Sequence, residues 1–490
     1  MKKHTLLSGL SICIIAFASY AYNKVQVPTS PRVAVIGAGF AGLTSAYRLM
    51  QQGYDVTVYE ARGRVGGRVF SVLMEDNNGN RVAAELGAQN IGDGGDATHI
   101  RTLAAELGLT ITNTTRAVGD VAYFDGTSVL FPGAELRLCG LTPESLQQRL
   151  VSLCEHAHSM RDIVRQLFHD NDRLYNFYTS RLEWYEGGNT DHLSPLYIRT
   201  LYPMLMGNLC YDPEDEQIAH FAAAEMSSIE GGNGRLAESL AQKLGTRVHL
   251  NHILTSVTKN ESGIFTLQFQ DGNCVQADIV IMAIPCSTYA NITFGDDVLP
   301  QDQLANIRNV PYGGNAKLLI PVSKMKTNVT HANNYGVFWQ VKQEDPVTVF
   351  YRKPYGCFDQ TTLADIVTRD IKVVNFTHEL LDDMQEPCMA RDESFGVYHG
   401  IVGHSWPCDP FSQGSYSYIG AGQEELFMAQ DNYEREEIRT LFTPSHNLFF
   451  AGEHATMLLD VLGTMEAAVE SGDRVARMVN KMICTRNNNV

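Results

Sequence analysis

The stretch Val33-Ala34-Val35-Ile36-Gly37-Ala38-Gly39-Phe40-Ala41-Gly42 constrains the fold of this chain more than any other. Val33, Val35 and Ile36 favour a short buried strand. Gly37, Gly39 and Gly42 then give the spacing G-x-G-x-x-G, a turn in which any Cβ would block close approach of the backbone to a ligand. Leu43, Ala46, Tyr47 and Met50 recur at helical spacing until Gly53 supplies a stop, which aims the helix N-terminus and its free N–H groups at a pyrophosphate. Residues 54–59 alternate as a second strand and end on Glu60, 18 residues beyond Gly42, where a carboxylate accepts hydrogen bonds from a ribose 2′-hydroxyl. This strand, helix, strand unit predicts an α/β, Rossmann-like dinucleotide-binding domain. NAD and FAD fit it equally well.

The rest of the chain bounds the reading. With 490 residues, 44% of them hydrophobic, it can bury a large core and exceeds one ordinary domain, so two interleaved domains are expected. A formal charge of −17, from 38 basic and 55 acidic residues, argues against nucleic acid as a partner. It suits a solubilising acidic surface and, as the second reading, approach of a cationic ligand. Strands are expected over 253–257 and 264–269, with Asp271-Gly272 as a hairpin turn leading into an apolar strand that ends at Pro285. Residues 142–181 read as helical, with Leu146, Leu150, Leu153, Ile163 and Leu167 as the apolar stripe.

The N-terminus is a different object. Lys2 and Lys3 precede a largely apolar run from Leu6 to Ala18, and Ser19-Tyr20-Ala21 places small residues at the −3 and −1 positions of a cleavage site. Residues 1–21 are expected to be a secretory signal peptide, and the chain secreted or periplasmic. An uncleaved anchor is the competing reading, although the run is shorter than the roughly 20 residues a spanning helix needs. No stable membrane insertion is expected after cleavage. The ten cysteines lack C-x-x-C spacing, so no zinc site is indicated, and disulfide pairing stays open. Glycosylation sequons stand at Asn113, Asn260, Asn291, Asn328 and Asn375.

The segment after Glu60, Ala61-Arg62-Gly63-Arg64-Val65-Gly66-Gly67-Arg68, separates the two cofactors. Here the sequence resembles the flavin-containing amine oxidase family, which includes monoamine oxidases, polyamine oxidases, L-amino-acid oxidases and flavin histone demethylases. More of that family's motifs follow in order: Glu85-Leu86-Gly87-Ala88, the turn Gly231-Gly232-Asn233-Gly234-Arg235, residues 277–285, Trp406 with Gly414-Ser415-Tyr416-Ser417-Tyr418, and Gly452-Glu453-His454 through Gly463-Thr464-Met465. The resemblance implies a discontinuous FAD-binding domain from 31–106, 223–286 and 404–482. It is interleaved with an α+β substrate-binding domain from 107–222 and 287–403.

The same resemblance implies roles. FAD is held by Gly37, Gly39, Phe40, Ala41, Gly42, Glu60, Ala61, Arg62, Arg64, Gly66, Gly67, Arg68, Gly87, Ala88, Val257, Gly452, Glu453, Thr464 and Met465. Lys317 corresponds to the lysine that bonds a water near flavin N5, Tyr416 to the first wall of an aromatic cage, and Thr464 to its second wall, there a tyrosine in monoamine oxidases. Ser415 stands where those enzymes carry the flavin-linking cysteine, so non-covalent FAD is expected, although Cys408 lies a few residues upstream. His454 reads as a packing residue. The arginine with which L-amino-acid oxidases clamp a carboxylate is missing from 89–95, and the next is Arg101.

The activity implied is oxidation of a primary or secondary amine, including polyamines, with oxygen as acceptor and an imine or aldehyde and hydrogen peroxide as products. An L-amino-acid oxidase and a desaturase-like relative are the alternatives among enzymes. A non-catalytic flavin-binding interaction protein is the alternative outside them.

Overall fold

The computed structural model describes residues 30–75, 79–92, 97–115, 121–210, 225–321, 330–340, 347–352, 388–389, 397–433 and 436–488. The expected signal peptide and the sequons at Asn328 and Asn375 lie outside them. Arg32–Val490 forms one compact unit.

A five-stranded parallel sheet carries the strand-and-turn unit. Its order is Leu448–Phe450, Ile279–Met282, Arg32–Ile36, Asp55–Tyr59 and Val248–His249, so strands more than four hundred residues apart lie two places from each other. Ile279–Met282 is buried throughout and Arg32–Ile36 nearly so, as expected of strands covered on both faces. The helix Phe40–Gln51 packs on the closing helix Met465–Asn488 and on Gly234–Leu244. It stops where the sequence indicates, with Gly53 in the left-handed region at φ +86°.

The second large sheet holds the strand Ala316–Pro321, antiparallel to both Val347–Arg352 and Val402–Ser405. This register sets Lys317 opposite Tyr351 on one side and His404 on the other. A smaller sheet pairs Ser71–Glu75 with Arg81–Glu85, and another contains a hairpin of Phe265–Phe269 and Cys274–Ala277 around Gly272 at φ +86°, while the apolar strand expected to follow that turn, Ile279–Met282, lies in the parallel sheet instead.

The 142–181 stretch forms three helices, Pro143–Cys154, Met160–Leu167 and Asp172–Glu186. Its breaks are written in caps that the apolar stripe hides. Thr142 with Ser145 and Ser159 with Asp162 form capping boxes, and Asn171 accepts from Leu174 N–H.

Candidate active site

A cavity of about 340 Å³ opens between the two large sheets. Its nucleotide end is the glycine turn. Gly37 has φ +103°, and a Cβ there would sit 2.7 Å from Ala283 O; a Cβ on Gly42 would sit 2.0 Å from Gly37 O. A Cβ on Gly39 would meet nothing within 4 Å, because this residue faces the open cavity. The helix Phe40–Gln51 has no side-chain cap and no acidic residue in its first turn, so its N-terminal N–H groups and dipole are open to an anion.

Glu60 is buried, with Oε2 accepting from Ala38 N–H at 2.7 Å and Oε1 from Arg62 N–H at 2.9 Å. Arg62 is paired with Asp409 and donates to Ser412 Oγ at 2.8 Å, which fastens the segment after Glu60 to the 409–412 turn. These features fit an adenine dinucleotide: glycines where the backbone must come close, an uncapped helix end for phosphate, and a fixed carboxylate at the end of the second strand.

Further along, Arg68 Nη1 donates to Ser415 O at 3.1 Å and to Glu453 Oε1 at 2.7 Å, while Glu453 also accepts from Ser417 N–H and Oγ. Burial is the largest influence on Glu453 and opposes its ionisation, but the Arg68 guanidinium, His454 and the Ser417 hydrogen bond together hold the carboxyl below its ordinary value. His454 is fully buried behind it, and burial pulls the imidazole down to about 4. Its ring lies over Gly452, where a Cβ would come within 2.2 Å, and packs against Phe442. That is the packing role expected of it.

Lys317 reaches the cavity from the apolar strand Ala316–Pro321 and is only 3% exposed. Its Nζ donates to Gly87 O at 3.0 Å and to Gln89 Oε1 at 2.6 Å. Burial pulls the ammonium down to about 7, against the attraction of the Glu85 carboxylate. Glu85 is itself pushed up by burial, opposed by hydrogen bonds from Asn233 N–H and Ser71 Oγ and by the charge of Lys317.

Across the cavity the Tyr416 ring packs between Gly187 and Gly463, where Cβ atoms would fall 3.2 and 3.1 Å from it. Its hydroxyl donates to Tyr185 O at 2.6 Å and accepts from Tyr351 Oη at 3.3 Å. Thr464 lines the cavity, but its hydroxyl is engaged with Val461 O and Ala467 N–H at the start of the closing helix.

Of the residues expected to hold FAD or act on substrate, all line this one cavity except Gly42, Arg64 and Val257. Gly42 is packed against the Gly37 carbonyl one layer behind the wall. Arg64 turns back, donating to Val65 O and Gly67 O with its guanidinium 4.1 Å from the centre of the Phe70 ring. Val257 is fully buried within its strand, and the cavity is reached instead by His252, Ile253 and Leu254 at that strand's start.

Tyr351, Trp406, Phe411 and Ser412 also line the cavity, as do Thr288 and Asn291. Trp406 was visible as part of a motif; Tyr351 carries no local signal and arrives through strand register alone. Cys408 is disulfide-bonded, and no cysteine among the described residues lines the cavity. Arg101 donates to Ser227 Oγ and is not part of the lining.

Comparison with known proteins identifies the family. The profile of the family described as flavin containing amine oxidoreductase matches residues 40–324 and 361–480. A lysine-specific histone demethylase 1 homolog 3 from Oryza sativa subsp. japonica is 25% identical over 92% of this chain, and the chain spans 55% of that relative's length. A nicotine dehydrogenase from Pseudomonas putida is 23% identical, with 92% of this chain and 88% of the relative covered.

Among solved structures, cyclohexylamine oxidase from Brevibacterium oxydans superposes with a TM-score of 0.67 at 18% identity, covering 93% of this chain and 100% of the other. A putrescine oxidase bound to putrescine gives 0.62 at 17%, covering 92% and 99%. These likenesses share the two-sheet fold. Because the profile matches most of the chain, the chain belongs to the family of flavin-containing amine oxidoreductases, and its cofactor is FAD.

Proposed function

We propose that this protein is an exported amine oxidase that converts a primary or secondary amine, polyamines included, to an imine or aldehyde with release of hydrogen peroxide. One observation carries the reading: Lys317, Tyr416 and Tyr351 converge on the cavity whose other end is the dinucleotide cradle. FAD, when bound, supplies the two-electron sink that takes hydride from the amine carbon and passes the electrons to oxygen.

The chain supplies the rest. The electron-rich face of Tyr416 orients the substrate nitrogen, and the Tyr351 and Tyr185 contacts hold its hydroxyl so that the ring stays in place. Thr464 in place of a second ring leaves a wider passage beside Tyr416. Lys317, near neutrality at its buried position, holds or releases a proton at the cavity wall. Glu60, Arg62, Arg68 and Glu453 hold the cofactor's length.

Carboxylate recognition finds little support among the described residues. The two arginines that line the cavity, Arg62 and Arg68, are committed to Asp409 and Glu453. Export is supported by the Lys2-Lys3 and apolar pattern, and by a disulfide at Cys408, a bond that persists in oxidising compartments.

The test is anaerobic mixing of purified FAD-loaded protein with monoamines, diamines, polyamines and L-amino acids, followed by aeration and a peroxide assay. Bleaching of the flavin by amines and peroxide on aeration are expected. Bleaching by amino acids alone would replace the reading with an L-amino-acid oxidase, and bleaching by nothing would leave a flavin-binding interaction protein. Processing is checked by sequencing the mature N-terminus, expected at Tyr22.

A further inference from the structure

The loop that meets Lys317 is held more tightly than a cofactor-lining loop requires. Leu86 and Gly87 N–H both bond Phe70 O, and Ala88 N–H bonds Arg68 O. A Cβ on Gly87 would sit 2.0 Å from Arg68 O, so only glycine allows this crossing and leaves the Gly87 carbonyl free to accept from Lys317. Four residues on from Gly87, Ile91 exchanges both of its main-chain hydrogen bonds with Ser227.

Between these anchors stands Asn233, fully buried, 144 residues away in sequence from Gln89. Its Nδ2 donates to Ala88 O at 3.2 Å and Gln89 O at 2.8 Å, its Oδ1 accepts from Ile229 N–H, and its own N–H bonds Glu85. The Gln89 carbonyl is therefore anchored, with bonded residues on either side of it in the loop, and its side chain, 9% exposed, meets Lys317 Nζ at 2.6 Å.

We propose that Gln89 is a positioning residue, whose amide oxygen, held in place by the Asn233 turn, fixes the Lys317 amine at the wall of the FAD cavity. The proposal rests on the reading of that cavity given above. A charge-assisted hydrogen bond of this length is strong in a buried site, and it leaves the amine one direction rather than a cone of them. Glu85, held by Ser71 and Asn233, supplies the nearby negative charge, so that the neutral amide sets position while the carboxylate sets charge balance. Among titratable groups of the neighbouring strands, His404 faces Lys317 from Val402–Ser405 and Tyr351 from Val347–Arg352.

The test needs no amine. The visible absorption of FAD-loaded protein is followed across neutral pH in wild type, Lys317→Met, Gln89→Glu and Gln89→Leu, with FAD content measured for each. Wild type is expected to show a transition near 7 that Lys317→Met lacks. Gln89→Glu sets a carboxylate on Nζ and is expected to move that transition up by about one pH unit or more. Gln89→Leu removes the acceptor and is expected to move it down; the near-isosteric Gln89→Glu keeps the test sound if the leucine variant loads poorly.

A transition left in place by Gln89→Glu, or the absence of any Lys317-dependent transition in wild type, overturns the proposal. A moved transition in a protein that no amine bleaches would keep Gln89 in this role and sink the amine-oxidase reading instead.

Discussion

Lys317 shows how far a single residue can be read. A lysine inside an apolar strand was conspicuous in the sequence, because burial of an ammonium is costly without partners. The partners were not legible: Gly87 and Gln89 reach it through a loop folded over Phe70, which leaves no local pattern. Lys317→Met keeps the length and removes the amine, and is expected to lower turnover about 10²- to 10⁴-fold with FAD still bound, read by steady-state kinetics beside FAD content. His454 gives a second outcome at this scale. Burial depresses its pKa from 6.5 to about 4, so between those values the unfolded chain binds more protons than the folded one. Its contribution to stability is complete above 6.5 and is lost as pH falls toward about 4. In His454→Gln, melting temperature is therefore expected to fall less steeply over that window than in wild type; equal slopes would refute the assignment.

Among elements, the strand and glycine turn at 33–42 were legible because both the turn and the helix N-terminus demand particular residues at fixed offsets. The closing helix Met465–Asn488 was legible only at its start. Its fit depends on Gly472, where a Cβ would stand 2.5 Å from Ala41 O and 2.9 Å from Thr44 Cβ. Nothing around Gly472 in the sequence announces this, since the reason lies on the facing helix. The two glycines make a matched pair of tests. Gly42→Ala drives a methyl into the Gly37 carbonyl and Gly472→Ala prises the closing helix from Phe40–Gln51, each expected to cost about 1–3 kcal/mol in denaturant melts. Gly42→Ala is also expected to lower FAD content at purification, because the shifted turn is the one that must meet phosphate. A substitution at Gly53, where a Cβ meets nothing, should leave FAD content unchanged despite its positive φ. The helical reading of 142–181 holds; its division into three helices is hidden from the stripe because periodicity continues across a capped break, and the caps Thr142, Ser159 and Asn171 are ordinary polar residues until seen bonded.

At the scale of the whole molecule, the class of the fold was legible because its motifs recur in order along nearly the entire chain, while the exact wall of the cavity was not. The resemblance assigns Val257 to the wall, whereas Leu254, three residues earlier at the start of the same strand, lies there. The wall draws on residues 36–37, 39–41, 59–62, 66–69, 86–88, 252–254, 283–285, 288, 291–292, 317, 351, 406, 410–412, 415–416, 452–453, 463–465 and 468. No pair of neighbouring elements encloses it, so a bound dinucleotide adds contacts across segments that lie far apart in sequence. FAD is then a structural link as well as a cofactor, and its binding to the folded state alone must raise stability by RT ln(1 + [FAD]/Kd), about 2.7 kcal/mol at a hundredfold excess over Kd. Removing FAD under mild denaturant and dialysis is expected to lower the melting temperature, and returning it in steps is expected to restore it logarithmically with free FAD. FMN, which lacks the adenosine half that Glu60 and the glycine turn are built to meet, is expected to restore only part. A melting temperature indifferent to FAD would mean that the two ends of the chain do not close on one ligand, and full rescue by FMN would mean that the glycine turn is not where the adenosine half is held.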